Sequence, residues 1–132
     1  MLDPQNEFTV YRKDRETNTC GGGVCILLSN CFDVIQVDIS AVFKNIECIC
    51  IDILNFVNPV RLFVIYRPGG NSQLDLSIMK EITLCLDQFC NVDKTSIVLG
   101  DANCPNVDWL NGVAKCEPIQ QMFHNCVCEL GF

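Results

Sequence analysis

Short apolar and alternating segments fill the first half of the chain, and two stretches of helical spacing punctuate the second. Phe8-Thr9-Val10-Tyr11-Arg12 alternates and predicts a short strand. Lys13 to Thr19 is polar and predicts a mobile loop, closed by Gly21-Gly22-Gly23. Val24 to Leu28 predicts a second strand, and Val34 to Ile39 a half-buried third. Glu47 to Leu54 and Val60 to Tyr66 are denser in apolar residues, as central strands are. A helix is predicted from about Leu74 to Phe89, with Ser72 as N-cap. Its apolar face is Ile78, Met79, Ile82, Cys85, Leu86 and Phe89. Thr95 to Leu99 returns as a strand. A second helix starts near Pro118, buries Ile119, Met122, Phe123, Cys126, Val127 and Leu130, and stops at Gly131. His124 falls one residue off that face and is expected at its rim or surface. Strands first, then helices flanking a further strand, predict an α+β fold with a mixed, mostly antiparallel sheet.

Composition narrows the function classes. The chain has 132 residues, enough for one domain with a core, and no apolar run reaches membrane-spanning length. A net charge of −7 argues against nonspecific coating of nucleic acid, which depends on basic surface. Eleven cysteines would suit a secreted disulfide protein, but the count is odd and Met1 to Glu7 does not read as a secretory signal. The close pairs, such as Cys48-x-Cys50 and Cys85-x4-Cys90, include no Cys-x-x-Cys knuckle, and His124 has no histidine partner for zinc. Reduced, mostly buried thiols are expected, with Cys48 and Cys50 on one face of a strand in an intracellular protein. Gly21-Gly22-Gly23 lacks the Gly-Lys-Ser/Thr ending and following helix of a phosphate loop, so a turn is expected there.

Chemistry concentrates in Gly100-Asp101-Ala102-Asn103-Cys104-Pro105-Asn106-Val107-Asp108-Trp109, directly after the apolar Ile97-Val98-Leu99. A strand ending in Gly-Asp-x-Asn delivers a carboxylate and a carboxamide to the rim of a sheet. Asp101 is suited to accept a proton from water, and Asn103 to hold that water or a phosphate oxygen. The same residues also suit an ordinary turn. A calcium loop is discounted, because Asn106 stands where such a loop needs glycine.

Val10-Tyr11-Arg12-Lys13-Asp14-Arg15, then Gly21-Gly22-Gly23-Val24, Val64-Ile65-Tyr66-Arg67-Pro68 and Leu99 to Trp109 occur in that order. The series resembles the endonuclease/exonuclease/phosphatase domain of LINE-type non-LTR retrotransposons, a relative of apurinic endonucleases and DNase I. The resemblance runs from near Phe8 to the C-terminus. It implies a DNase I-like four-layered α/β sandwich and, in the intact family, Mg²⁺-dependent hydrolysis of DNA phosphodiester bonds. It further implies that Asp101 activates or orients the attacking water, that Asn103 assists it, and that the Tyr66 hydroxyl reaches the scissile phosphate. Gly69 stands where apurinic-type relatives often carry asparagine.

The family's early asparagine and metal-binding glutamate precede the matched segment, and its Ser-Asp-His segment follows it. Glu7 and His124 do not match those residues. The resemblance therefore implies one domain over 1–132, incomplete at both ends. It implies no tightly bound Mg²⁺, little or no nuclease activity, weak or no DNA binding and no membrane association. The alternative from another class is a non-catalytic α/β remnant or interaction module that self-associates through open sheet edges.

Overall fold

The computed structural model describes residues 7–16, 21–90, 93–114 and 117–132. Ten elements follow in chain order. They are β1 (Phe8–Lys13), β2 (Val24–Ser29), β3 (Val34–Val37), β4 (Glu47–Ile53), β5 (Val60–Tyr66), α1 (Gln73–Phe89), β6 (Thr95–Asp101), β7 (Val107–Asp108), β8 (Val113–Ala114) and α2 (Pro118–Leu130). The architecture is mixed α+β. A four-stranded sheet of order β3-β4-β5-β6 is antiparallel except for the parallel β5–β6 pair. Helix α1 lies between β5 and β6 in the chain, which allows those strands to run parallel.

The central strand β4, Glu-Cys-Ile-Cys-Ile-Asp-Ile, is buried at every position because both faces of the sheet are covered. Cys48 and Cys50 join Phe63 and Ile65 under the helices, against Met79, Ile82, Cys85, Leu86, Ile119, Phe123 and Cys126. Ile49, Ile51 and Ile53 face the other way, where the β1–β2 hairpin lays Tyr11, Val24, Ile26 and Leu28 over them. The two faces follow from the period-2 alternation of a strand. The described residues thus form a hairpin, a sheet and a helical pair.

Both helices have recognisable ends. The Ser72 side chain accepts from the Asp75 N–H while the Asp75 carboxylate accepts from the Ser72 N–H, a capping box. The Ser72 hydroxyl also donates to Asp75 Oδ2, and this bond, with that of the Ser72 N–H, holds the Asp75 carboxyl below its usual range. Helix α2 opens on Pro118 and closes on Gly131, whose φ of 80° is left-handed. At the far end of the sheet Asp52 is buried and takes both Arg61 (2.7 Å) and Lys94 (2.6 Å). Arg61 also donates to the Phe89 carbonyl, satisfying the last turn of α1. The Arg61 hydrogen bond is the main reason the Asp52 carboxyl lies below its usual range.

Several expectations change. Strand β3 stops at Val37, where Asp38 turns back to bind Ser40. Strand β6 continues past Leu99 to Asp101, so the Asp-x-Asn pair begins inside the sheet rather than beyond it. Residues 107–114 form a small hairpin that the sequence pattern did not predict. His124 is buried, not at a rim, because Trp109 from that hairpin lies over it with ring centroids 5.8 Å apart. Of the loop expected over Lys13–Thr19, Lys13 closes β1, and Thr17–Thr19 lie outside the described residues.

Nine cysteines are described, and no disulfide joins any two of them. Cys48, Cys50, Cys85 and Cys126 are buried, Cys90 and Cys104 are half-buried, and Cys25, Cys31 and Cys128 are exposed. Burial pushes the Cys50 thiol up to about 12 and the Cys126 thiol up to about 11. In the unfolded chain these thiols titrate near the ordinary 9.0. The native state therefore holds protons that the unfolded state has lost, and stability should fall as pH rises through that window. Urea midpoints measured from neutral to alkaline pH check this. In the native protein at neutral pH, iodoacetamide should label Cys25, Cys31 and Cys128 well before the buried four, as peptide mass mapping would read. Equal labelling rates would contradict the buried core.

Candidate functional site

Tyr66 ends β5 and Asp101 ends β6. The parallel register makes them direct neighbours, on the face shared with Leu62 and Val64. Glu47 opens β4 opposite Tyr66 in the antiparallel register, so Glu47, Tyr66 and Asp101 form one row across the rim of the sheet. Three residue types that chemistry uses thus reach one edge from three strands.

The rim is held by Arg67. It is only 1% exposed, and its guanidinium donates to three backbone carbonyls: Ala102 through Nε (2.8 Å), Gly70 through Nη1 (3.2 Å) and Asn103 through Nη2 (2.9 Å). The Arg67 N–H donates to the Asp101 carbonyl (2.9 Å), and Asn103 Nδ2 donates back to the Arg67 carbonyl (2.6 Å). The loop after β5 and the loop after β6 are therefore one hydrogen-bonded unit. The planar fork of arginine suits several acceptors at fixed angles, which a lysine does not reproduce.

Backbone conformation completes the turn. Gly100 has φ 133°, and a Cβ there would run into the Ile65 carbonyl oxygen of the adjacent strand. Asn103 has φ 50°, in the left-handed region where asparagine is tolerated better than most side chains. Its N–H donates to Asp101 Oδ1 (2.8 Å), so one carboxylate oxygen shapes the turn. The Asn103 amide nitrogen is also committed to structure, through its bond to Arg67. Asp101 Oδ2 and Asn103 Oδ1 are the acceptors of this pair with no such bond in the turn, while Asp101 itself is exposed. Asp108, the third oxygen donor weighed for a calcium loop, is used in its own turn. It accepts from Leu110 and Asn111, and the Asn111 hydrogen bond keeps its carboxyl below the usual range.

Glu47 is the rim residue that sequence reasoning missed. It is 8% exposed, accepts from Arg15 Nε (2.5 Å), and accepts from the Gly23 N–H. Arg15 also lies 5.8 Å from the centre of the Tyr66 ring, a cation–π placement. The triple glycine therefore offers an N–H to the protein's own carboxylate. A signal existed: a glutamate opening a densely apolar strand is costly to bury unless something meets it.

A cleft flanks each side of the row. One, of about 510 Å³, is lined by Asp101, Asn103, Cys104, Trp109, Phe123 and Phe132 among others. The other, of about 550 Å³, borders Tyr66 and contains Lys13, Arg15 and Lys44, but also Asp14, Glu16, Glu47 and Asp75. Its carboxylates outnumber its cations, so it does not attract a polyanion strongly.

Among the described residues, no group of three or more His, Cys, Asp and Glu is placed to hold a metal ion. Asp101 has one oxygen committed to its turn and Glu47 is met by Arg15 and Gly23, so the rim donors do not fit a Mg²⁺ site by themselves. No described helix is long and apolar enough to cross a membrane. Neither models of known protein families nor the curated proteins contain a match to this chain.

Removing the fork of Arg67 should loosen both loops together. Arg67→Met leaves three carbonyls without their donor and should cost about 3 kcal/mol in urea unfolding. Arg67→Lys should recover only part of it. Glu47→Ala strands Arg15 and the Gly23 N–H and should cost about 2–3 kcal/mol by the same measurement. A change below the error of the method in either variant would show that the rim is held by something else.

Proposed function

We propose that this chain carries the Tyr66–Asp101–Asn103 portion of a DNase I-like phosphodiesterase domain of the LINE retrotransposon type, whose substrate class is DNA. The observation that supports this reading most directly is the register that sets Tyr66 beside Asp101, with Asn103 tied back to Arg67. A four-layered sandwich is the parent architecture on this reading, with the β3-β4-β5-β6 sheet and its two helices as two of the layers.

The chemistry assigned to each group follows from its free atoms. Asp101 offers Oδ2 to orient or deprotonate a water near a phosphorus. Asn103 offers Oδ1 to the same water, since its amide nitrogen is engaged. The Tyr66 hydroxyl donates to a phosphate oxygen. The family's Mg²⁺ would supply charge stabilisation, but the described donors do not fit it. Positioning without that stabilisation leaves the chain far below an intact enzyme, since one lost electrostatic donor alone can cost about 10²–10³ in rate.

A second reading, an interaction module without catalysis, is favoured by one feature. Among the described residues β6 pairs only with β5, and its Ile97 and Leu99 are 41% and 53% exposed. An open, apolar edge strand is a template for another strand.

Amide chemical-shift mapping with a short single-stranded DNA at low salt separates the two. The phosphodiesterase reading expects weak binding, with shifts gathered at Tyr66–Gly70 and Gly100–Asn103 and reduced by Tyr66→Phe. Shifts elsewhere, or none at saturating DNA, would remove it. Plasmid nicking in Mg²⁺ by the purified chain should stay at background, indistinguishable from Asp101→Ala. Nicking that a chelator abolishes and Asp101→Ala removes would show that the catalytic deficit has been misjudged.

A further inference from the structure

The chain has a single histidine. His124 is 8% exposed on α2, and its Nδ1 is buried without a hydrogen-bond partner. Its other nitrogen, Nε2, lies 3.7 Å from Sγ of Cys128, one helical turn on. Cys128 is exposed, so the sulfur side of the pair is open to solvent. We propose that His124 and Cys128 form a two-donor site for a thiophilic divalent cation of the zinc type.

Two observations converge. The i, i+4 spacing puts both donors on one face of α2, as in helical metal-binding pairs. The separation also fits. Zinc bonded to nitrogen at about 2.05 Å and to sulfur at about 2.3 Å, with a tetrahedral angle between them, places the donors about 3.6 Å apart.

Binding involves no redox change. The Cys128 thiol loses its proton to solvent as the sulfur–metal bond forms, and Nε2 contributes its lone pair. No third His, Cys, Asp or Glu joins the two among the described residues, so water completes the coordination. Affinity should accordingly be below that of three- and four-ligand protein sites. The site is independent of the reading given to Asp101.

Trp109 provides a local reporter. It is the only tryptophan, and its ring lies 5.8 Å from that of His124. Titration of the full reduced chain with Zn²⁺ alone, in a non-coordinating buffer with a phosphine reductant, should change Trp109 fluorescence saturably with one equivalent. Cys128→Ser, at an exposed position, should weaken that response at least about tenfold, and His124→Gln should do the same. A Cys25→Ser, Cys31→Ser double variant should leave it intact. A response unchanged in Cys128→Ser, or no Trp109 response while Zn²⁺ occupies other thiols by calorimetry, would overturn the proposal.

Discussion

The buried Arg67 guanidinium is the constraint on which the rim depends. A charged side chain at 1% exposure is tolerable only when its donors are met, and here they meet carbonyls of Gly70, Ala102 and Asn103. Those carbonyls lie in loops that follow two different strands. One side chain thus fixes the ends of β5 and β6 relative to each other, and with them Tyr66 and Asp101. Apolar packing contributes at the β6 end through Ala102 and Cys104 against the core, but it carries no direction of its own.

Glu47 plays the corresponding part on the other side of Tyr66. It joins the glycine turn before β2 to the sheet through the Gly23 N–H, and it holds Arg15 over the Tyr66 ring. The hairpin is therefore attached at two levels. Ile26, Ile49 and Ile51 supply a nonspecific apolar contact, while Glu47 sets its position at the rim. Hydrophobic burial is non-directional, so a directional contact is needed to fix one layer on another.

These attachments also limit the chemistry. Residues suited to catalysis are partly consumed by structure: an oxygen of Asp101, the amide nitrogen of Asn103 and the carboxylate of Glu47. What remains free can orient water and touch a phosphate, but does not fit a Mg²⁺ ion alone. The proposed phosphodiesterase ancestry and weak activity are thus compatible readings of one rim. The cleft beside Tyr66 holds more carboxylates than cations, which does not favour a polyanion there.

Strand and helix identity was legible in the sequence because each element carries its own period. Alternation marked β1, dense apolar residues marked β4 and β5, and 3.6-residue spacing with Ser72, Pro118 and Gly131 marked the helices and several of their ends. The rim location of Tyr66, Asp101 and Asn103 was legible too, since each lies at or just past the end of an apolar run. Their convergence was expected through the resemblance, not through local pattern. It depends on parallel pairing of β5 with β6, a long-range choice that local periodicity does not encode. The same holds for Glu47, whose partners Arg15 and Gly23 are 32 and 24 residues away. His124 went astray because its burial comes from Trp109 across a hairpin too short to leave a periodic signal. Local pattern determined which segments form strands and helices and which residues face the core. Only the tertiary structure decided which polar side chains meet, because hydrogen bonds between distant segments depend on register and layer packing rather than on spacing along the chain.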